Sequence, residues 1–123
     1  MLKVHAQKLE NAVLLRLRGR IAIGETATLR HAGLSQPEVG VVVLDLAQVS
    51  GIDARGLGVM LELREELQAR GIEFGLINVG RLVQQVLEIA CLDSVFETFS
   101  KEEVLSAASR GRLAAAVEMA PCA

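Results

Sequence analysis

Two carboxylates mark the places where this sequence is equipped for chemistry. Asp45 closes the apolar run Val41-Val42-Val43-Leu44, and Asp53 stands just before the longest amphipathic segment. The carboxyl ends of strands in an α/β sheet are where ligands collect. Two carboxylates without further ligands at metal spacing, however, do not make a metal site. His5 falls in a short strand-like segment and His31 at a helix end, and neither has a Ser, Cys or Glu at a spacing that sets up a catalytic pair. Both read as solvated side chains. Cys91 and Cys122 form no CxxC pair and have no histidine nearby. They read as a buried structural thiol and a free tail thiol. Gly56-Leu57-Gly58 lacks the third glycine of a dinucleotide fingerprint, and no GxxxxGK(S/T) phosphate cradle occurs. The sequence therefore offers no catalytic, cofactor-binding or metal-binding residues, and no enzyme is expected.

Composition narrows the alternatives. The 123 residues have room for one domain, and 51% of them are hydrophobic, enough to offset chain entropy. Only Phe74, Phe96 and Phe99 are aromatic, so the core must be aliphatic. Thirteen basic against 15 acidic residues leave a net charge of -2. That balance, with so few stacking rings, argues against a nucleic-acid binder and against polybasic attraction to a membrane. No apolar run is long enough to insert in a bilayer, and Met1-Leu2-Lys3-Val4-His5 shows no signal-peptide pattern. A cytoplasmic protein is the expectation.

The elements that must position Asp45 and Asp53 follow from periodicity. Lys3 to Lys8 reads as an edge strand. From Asn11 to Arg18, Val13, Leu15 and Leu17 alternate with Leu14, Arg16 and Arg18, the pattern of a half-buried strand that Gly19 interrupts. Gly24 to Leu34 reads as a helix ended by Gly33 and Pro37. Val39 to Leu46 is a continuous β-branched run, expected as a central strand closed by a loop at Gln48-Val49-Ser50-Gly51. The helix from Asp53 to Gly71 buries Leu57, Met60, Leu61, Leu63 and Leu67, with Arg55, Glu62 and Glu66 opposite and Glu66–Arg70 as an i,i+4 pair. A strand at Ile72 to Asn78 follows, then a helix with Leu82, Val83, Val86, Leu87 and Ala90 inward, and a brief strand from Val95 to Phe99. Ser100 and Glu103 have capping-box spacing for a last helix. The whole predicts a single α/β domain over 1–110, a mixed β-sheet with amphipathic helices mainly on one face, and an Ala-rich tail over 111–123.

The ordered series Val41-Val42-Val43-Leu44-Asp45-Leu46, Val49-Ser50-Gly51-Ile52-Asp53-Ala54-Arg55-Gly56-Leu57-Gly58, Gly71, Phe74-Gly75-Leu76-Ile77-Asn78, Ala90-Cys91-Leu92 and Val95-Phe96-Glu97-Thr98-Phe99 resembles the STAS domain of bacterial anti-sigma factor antagonists. The resemblance runs from about Val4 to Leu105. It implies a protein-interaction switch in signal transduction and transcription regulation. An anti-sigma factor of the serine kinase type binds the unphosphorylated domain, and phosphorylation of a serine at the helix start releases it. The helix N-terminus tolerates the phosphate, while the added charge of about -1.5 to -2 disrupts the partner surface.

Carried over residue by residue, the family's two serines fall on Ala54 and Arg55, and the phospho-acceptor position is Arg55. An Asp often found near Ala22 is also missing. The resemblance thus implies a partner-binding surface at Ser50, Asp53, Arg55, Gly56, Val59 and Glu62 without the usual switch. Two readings of Arg55 stand side by side: a solvated arginine, and a contact in an exposed stripe with Val59 and Glu62. Asp53 serves either as a helix cap. Gly56 and Gly58 allow close backbone approach, and Ser50 is the nearest remaining hydroxyl. STAS domains also serve as cytoplasmic subunits of ABC-type lipid transport systems, where no phosphorylation is needed.

Overall fold

The alternation of apolar and charged residues along Ala12–Ile21 becomes a strand inserted between two others. The computed structural model describes residues 2–36 and 39–110. In chain order these form β1 (Lys3–Lys8), β2 (Ala12–Ile21), α1 (Thr26–Leu34), β3 (Val41–Ile52), α2 (Ala54–Ala69), β4 (Glu73–Ile77), α3 (Arg81–Ile89) and α4 (Lys101–Arg110). The sheet has four strands in the order β1-β2-β3-β4. β1 pairs antiparallel with β2, whereas β2–β3 and β3–β4 are parallel. The mixed α/β sheet read from the sequence is therefore the observed one. The proposed tail over 111–123, with Cys122, and Pro37 lie outside the described residues.

Period-two side chains assign the sheet's faces. Val13, Leu15 and Leu17 of β2 join Val42, Leu44 and Leu46 of β3 in a core shared with Leu29 of α1, Leu57, Met60, Leu63 and Leu67 of α2, and Val83 and Leu87 of α3. The reverse face holds a smaller cluster, in which Val104 of α4 covers Ala12, Leu14, Val41, Val43 and Ile77. The unbroken run Val41–Leu44 is fully buried because β3 is sandwiched on both sides. Leu14, which alternation placed on the charged face, is buried by α4 for the same reason.

The sequence reading needs several corrections. β3 does not close at Leu46: Gln48, Val49, Gly51 and Ile52 pair with Arg18, Gly19, Arg20 and Ile21. The expected loop is a strand with two register shifts, the second of which leaves Ser50 as an extra residue between paired neighbours. Gly19 lies inside β2 at one of these shifts, with φ 114. Gly33 does not end α1. It is buried, and a Cβ there would run into the Leu63 side chain, so it lets α1 approach α2. Val95–Phe99 makes only an isolated bridge, Leu76 to Thr98, rather than a strand. In α3, Leu82 is 52% exposed and Ala90 is exposed, so its buried stripe narrows to Val83 and Leu87, with Val86 half-buried.

Cys91 is exposed, not buried. It has φ 60 and follows the end of α3, where Cys91 N–H donates to the Glu88 carbonyl and Leu92 N–H to Leu87. The same pair of hydrogen bonds closes α2 at Gly71 (φ 76), with Gly71 N–H donating to the Gln68 carbonyl and Ile72 N–H to the Leu67 carbonyl. Both are left-handed helix ends. The capping box of α4 forms as its spacing predicts: Ser100 Oγ accepts from Glu103 N–H at 3.1 Å, and Glu103 Oε1 from Ser100 N–H at 3.0 Å.

Candidate functional site

β3 runs directly into α2, and Asp53 is the residue between them. Its backbone is extended, and its carboxylate is used on both sides. Oδ1 accepts from Gly56 N–H at 2.8 Å, capping the helix. Oδ2 accepts from Ile23 N–H at 3.0 Å, which ties the β2–α1 connection to the same point. Asp53 N–H donates to the Ile21 carbonyl at 3.1 Å, completing the staple. These contacts hold the Asp53 carboxyl below its ordinary value, chiefly through the Gly56 and Ile23 N–H groups, with smaller help from the Arg55 N–H and the Arg20 charge.

Gly56 is required for this closeness. A Cβ at Gly56 would overlap the Ile21 carbonyl oxygen and lie 2.8 Å from its carbon. Gly58 is different, since a Cβ there meets nothing within 4 Å. The close approach expected of both glycines belongs to Gly56 alone.

The remaining expected residues do not form one stripe. Ser50 is exposed at the second irregularity of β3, and Arg55 is exposed in the first turn of α2. Val59, expected on the exposed face, is only 5% exposed and belongs to the main core. The packing of α1 against α2 covers it. Glu62 is exposed but engaged with α1, its Oε2 lying 3.7 Å from Arg30 Nε. Arg30 also meets Glu66 at 3.1 Å, and Glu66 meets Arg70 at 3.6 Å. This charged lacing joins α1 to α2 and frames a shallow groove of about 390 Å³ between Thr26 and Ala27 on one side and Arg55, Gly58 and Val59 on the other. Arg55 itself makes no ion pair among the described residues.

One residue of this surface escaped the sequence reading. Ile23 is 66% exposed, and its backbone is fixed by Asp53. The signal was present in Ile21-Ala22-Ile23-Gly24, where the second isoleucine falls beyond the strand with no helix stripe to join. Asp45, the other carboxylate, is structural. Its Oδ1 accepts from Ala47 N–H and Asn78 Nδ2, each at 3.0 Å, and its Oδ2 lies 3.9 Å from Arg16 Nε. It braces the end of β4, where Asn78 has φ 56. No cluster of three or more His, Cys, Asp or Glu able to hold a metal occurs among the described residues, and none of their helices is long and apolar enough to cross a membrane.

A family model described as STAS domain matches residues 3–105. Among solved structures, the anti-sigma factor antagonist SpoIIAA in its unphosphorylated form is 21% identical with a TM-score of 0.71, covering 89% of this chain and 98% of that one. An anti-sigma factor antagonist from Mycobacterium paratuberculosis is 18% identical, TM-score 0.73, covering 89% and 95%. A sulfate transporter family protein from Wolinella succinogenes is 20% identical, TM-score 0.65, covering 80% and 85%. At such identities the likeness to each is one of fold.

Proposed function

Because the chain belongs to the STAS domain family, we propose that it is a protein-interaction module of the anti-sigma factor antagonist type, and not an enzyme. It docks an anti-sigma factor of the serine kinase type, or a related regulator, on the surface around the start of α2. The observation that carries this reading is the doubly bonded Asp53, which fixes exposed Ile23 and exposed, unpaired Arg55 beside one helix N-terminus. A rigid backbone presenting one apolar and one cationic side chain suits an anchor contact.

The serine switch is absent in this reading. A cation in the first turn of a helix opposes the dipole at a cost of about 0.3–1 kcal/mol. A partner carboxylate at Arg55 removes that cost on binding. The surface is then permanently competent, and a fixed positive charge stands where family members acquire a negative one. Ser50 and Asp53 flank the contact, Gly56 keeps it close to β2, and Val59 and Glu62 support it from the α1–α2 interface.

Affinity capture from the host with wild type, Arg55→Ser and Arg55→Glu tests the proposal. Wild type should recover an anti-sigma factor or related regulator, Arg55→Ser less of it, and Arg55→Glu at least about tenfold less, as expected for reversing a charge at an interface. Equal recovery by Arg55→Glu would sink the assignment of the surface. Recovery of an ABC-type ATPase in place of a regulator would move the chain to lipid transport. Phosphate incorporation at Ser50 or Thr26 by a captured kinase would overturn the loss of the switch.

A further inference from the structure

Among the described residues, the sheet face opposite α1, α2 and α3 is only half covered. α4 lies over Leu14 and Val43, and toward the other ends of β2 and β3 the same face turns polar. There, Lys3 stands opposite Arg18, and His5 opposite Arg16, in the β1–β2 register. The Lys3–Arg18 pair sets like charges against each other, which destabilises a sheet. Asp45 is the acid that answers them, from 3.9 Å and only toward Arg16, and it is already shared with Ala47 and Asn78. Lys3 and Arg18 have no ion-pair partner among the described residues. In a chain with net charge -2, this is a local concentration of cations that the described residues leave largely unanswered. It lines a depression of about 670 Å³, with Gln48 on its far wall.

Among the described residues β1 is also the edge of the sheet, and its outer backbone N–H and C=O groups pair with no strand of that set and can take another. A strand added there would place every second side chain on the face of Lys3 and His5, at a repeat of roughly 6.6–6.8 Å. We propose that the free edge of β1 and the cationic face behind it bind an extended segment of a partner protein with acidic residues at alternate positions. The main chain of that segment continues the sheet, and its carboxylates meet Lys3, Arg16 and Arg18. A second copy of this chain is a poor occupant. Antiparallel self-pairing of β1 keeps Lys3, Arg16 and Arg18 of both copies on one face, so it brings cations to cations and supplies no carboxylate. The surface lies on the opposite face of the sheet from α2, so both surfaces are open at once.

The test uses fluorescence anisotropy with the full chain and a labelled peptide, Glu-Thr-Glu-Val-Glu-Thr-Glu. A peptide of the same composition with its four glutamates in one block, and an oligo-dT strand, serve as competitors. The alternating peptide should bind, weaken as salt rises, and displace better than the block peptide by at least about fivefold. Arg18→Glu and Arg16→Glu should each lower its affinity at least about tenfold, whereas Arg55→Glu should leave it unchanged. Arg18→Glu creates an attractive pair with Lys3, so its melting temperature should not fall, and lost binding cannot then be lost folding. No binding of the alternating peptide, equal binding of the block peptide, or tighter binding of oligo-dT would each overturn the proposal.

Discussion

Gly56→Ala and Gly58→Ala form a matched pair of substitutions two residues apart in α2, and the structure gives them opposite signs. Alanine is better than glycine inside a helix by about 0.8–1 kcal/mol. At Gly58 nothing lies within 4 Å of the new methyl, so most of that gain should appear as stability. At Gly56 the methyl overlaps the Ile21 carbonyl oxygen and lies 2.8 Å from its carbon, and both are backbone atoms of β2. Reaching an ordinary carbon–carbon contact requires the end of β2 to retreat by at least about 0.6 Å. That retreat stretches the bond from Asp53 N–H to Ile21, already 3.1 Å long. Overpacking of this kind costs about 1–3 kcal/mol and a weakened hydrogen bond up to about 1 more. After the helix gain, the net loss should be about 1.6 kcal/mol at the middle of those ranges and at most about 3. For a domain of this size that lowers the melting midpoint by about 6 °C, and by at most about 12 °C. Gly58→Ala should raise it by about 2–4 °C. Thermal melts and urea titrations followed by circular dichroism measure both. If Gly56→Ala melts at or above wild type, or if the two variants fall together, the account of why α2 starts where it does is wrong.

The Asp53 carboxyl is held below its ordinary 3.8, so its contribution to stability is present above that value and lost as pH falls through it toward the folded pKa. Urea midpoints of wild type should decline from about pH 5 downward, and Asp53→Asn should be flatter across that window; parallel curves would contradict the cap assignment. Cys91→Gly removes a side chain from a left-handed position at φ 60 and should stabilise by about 1 kcal/mol in the same melts. A lower midpoint would mean that the Cys91 side chain contributes more than its strain costs. A double-mutant cycle on Arg30 and Glu66, 3.1 Å apart and each about half exposed, should return a coupling of only about 0.2–1 kcal/mol. A value above about 2 kcal/mol would show that the lacing between α1 and α2 is far less exposed to water than its accessibility implies.

Legibility differed by element for physical reasons. The burial of Val41–Leu44, the stripe of α2, the Asp53 cap, the Glu66–Arg70 pair, the Gly71 helix end and the α4 capping box are all set by residues close in sequence. Their spacing is their geometry. The errors fall where a distant segment decides. Gln48-Val49-Ser50-Gly51 has loop composition but becomes strand because β2 is long enough to pair with it. Gly33 has the type that ends helices but is held inside α1 by Leu63, 30 positions away. Val59 repeats with Arg55 and Glu62 on a helical wheel, yet α1 buries it. Cys91 reads as buried because thiols usually are, whereas its place just past α3 leaves it in solvent.

The candidate surface divides in the same way. Sequence by itself determined that Asp53 begins a helix, that Arg55 occupies its first turn, and that the core is aliphatic, because a cap and a hydrophobic period are local facts. Only the tertiary structure decided that the second Asp53 oxygen holds Ile23 in place, that Glu62 belongs to Arg30 of α1, and that Lys3, His5, Arg16 and Arg18 share one face. Each of those outcomes depends on strand register and on which helices pack together. Register and helix packing are fixed by burying both faces of β3 at once, a constraint that no single segment carries.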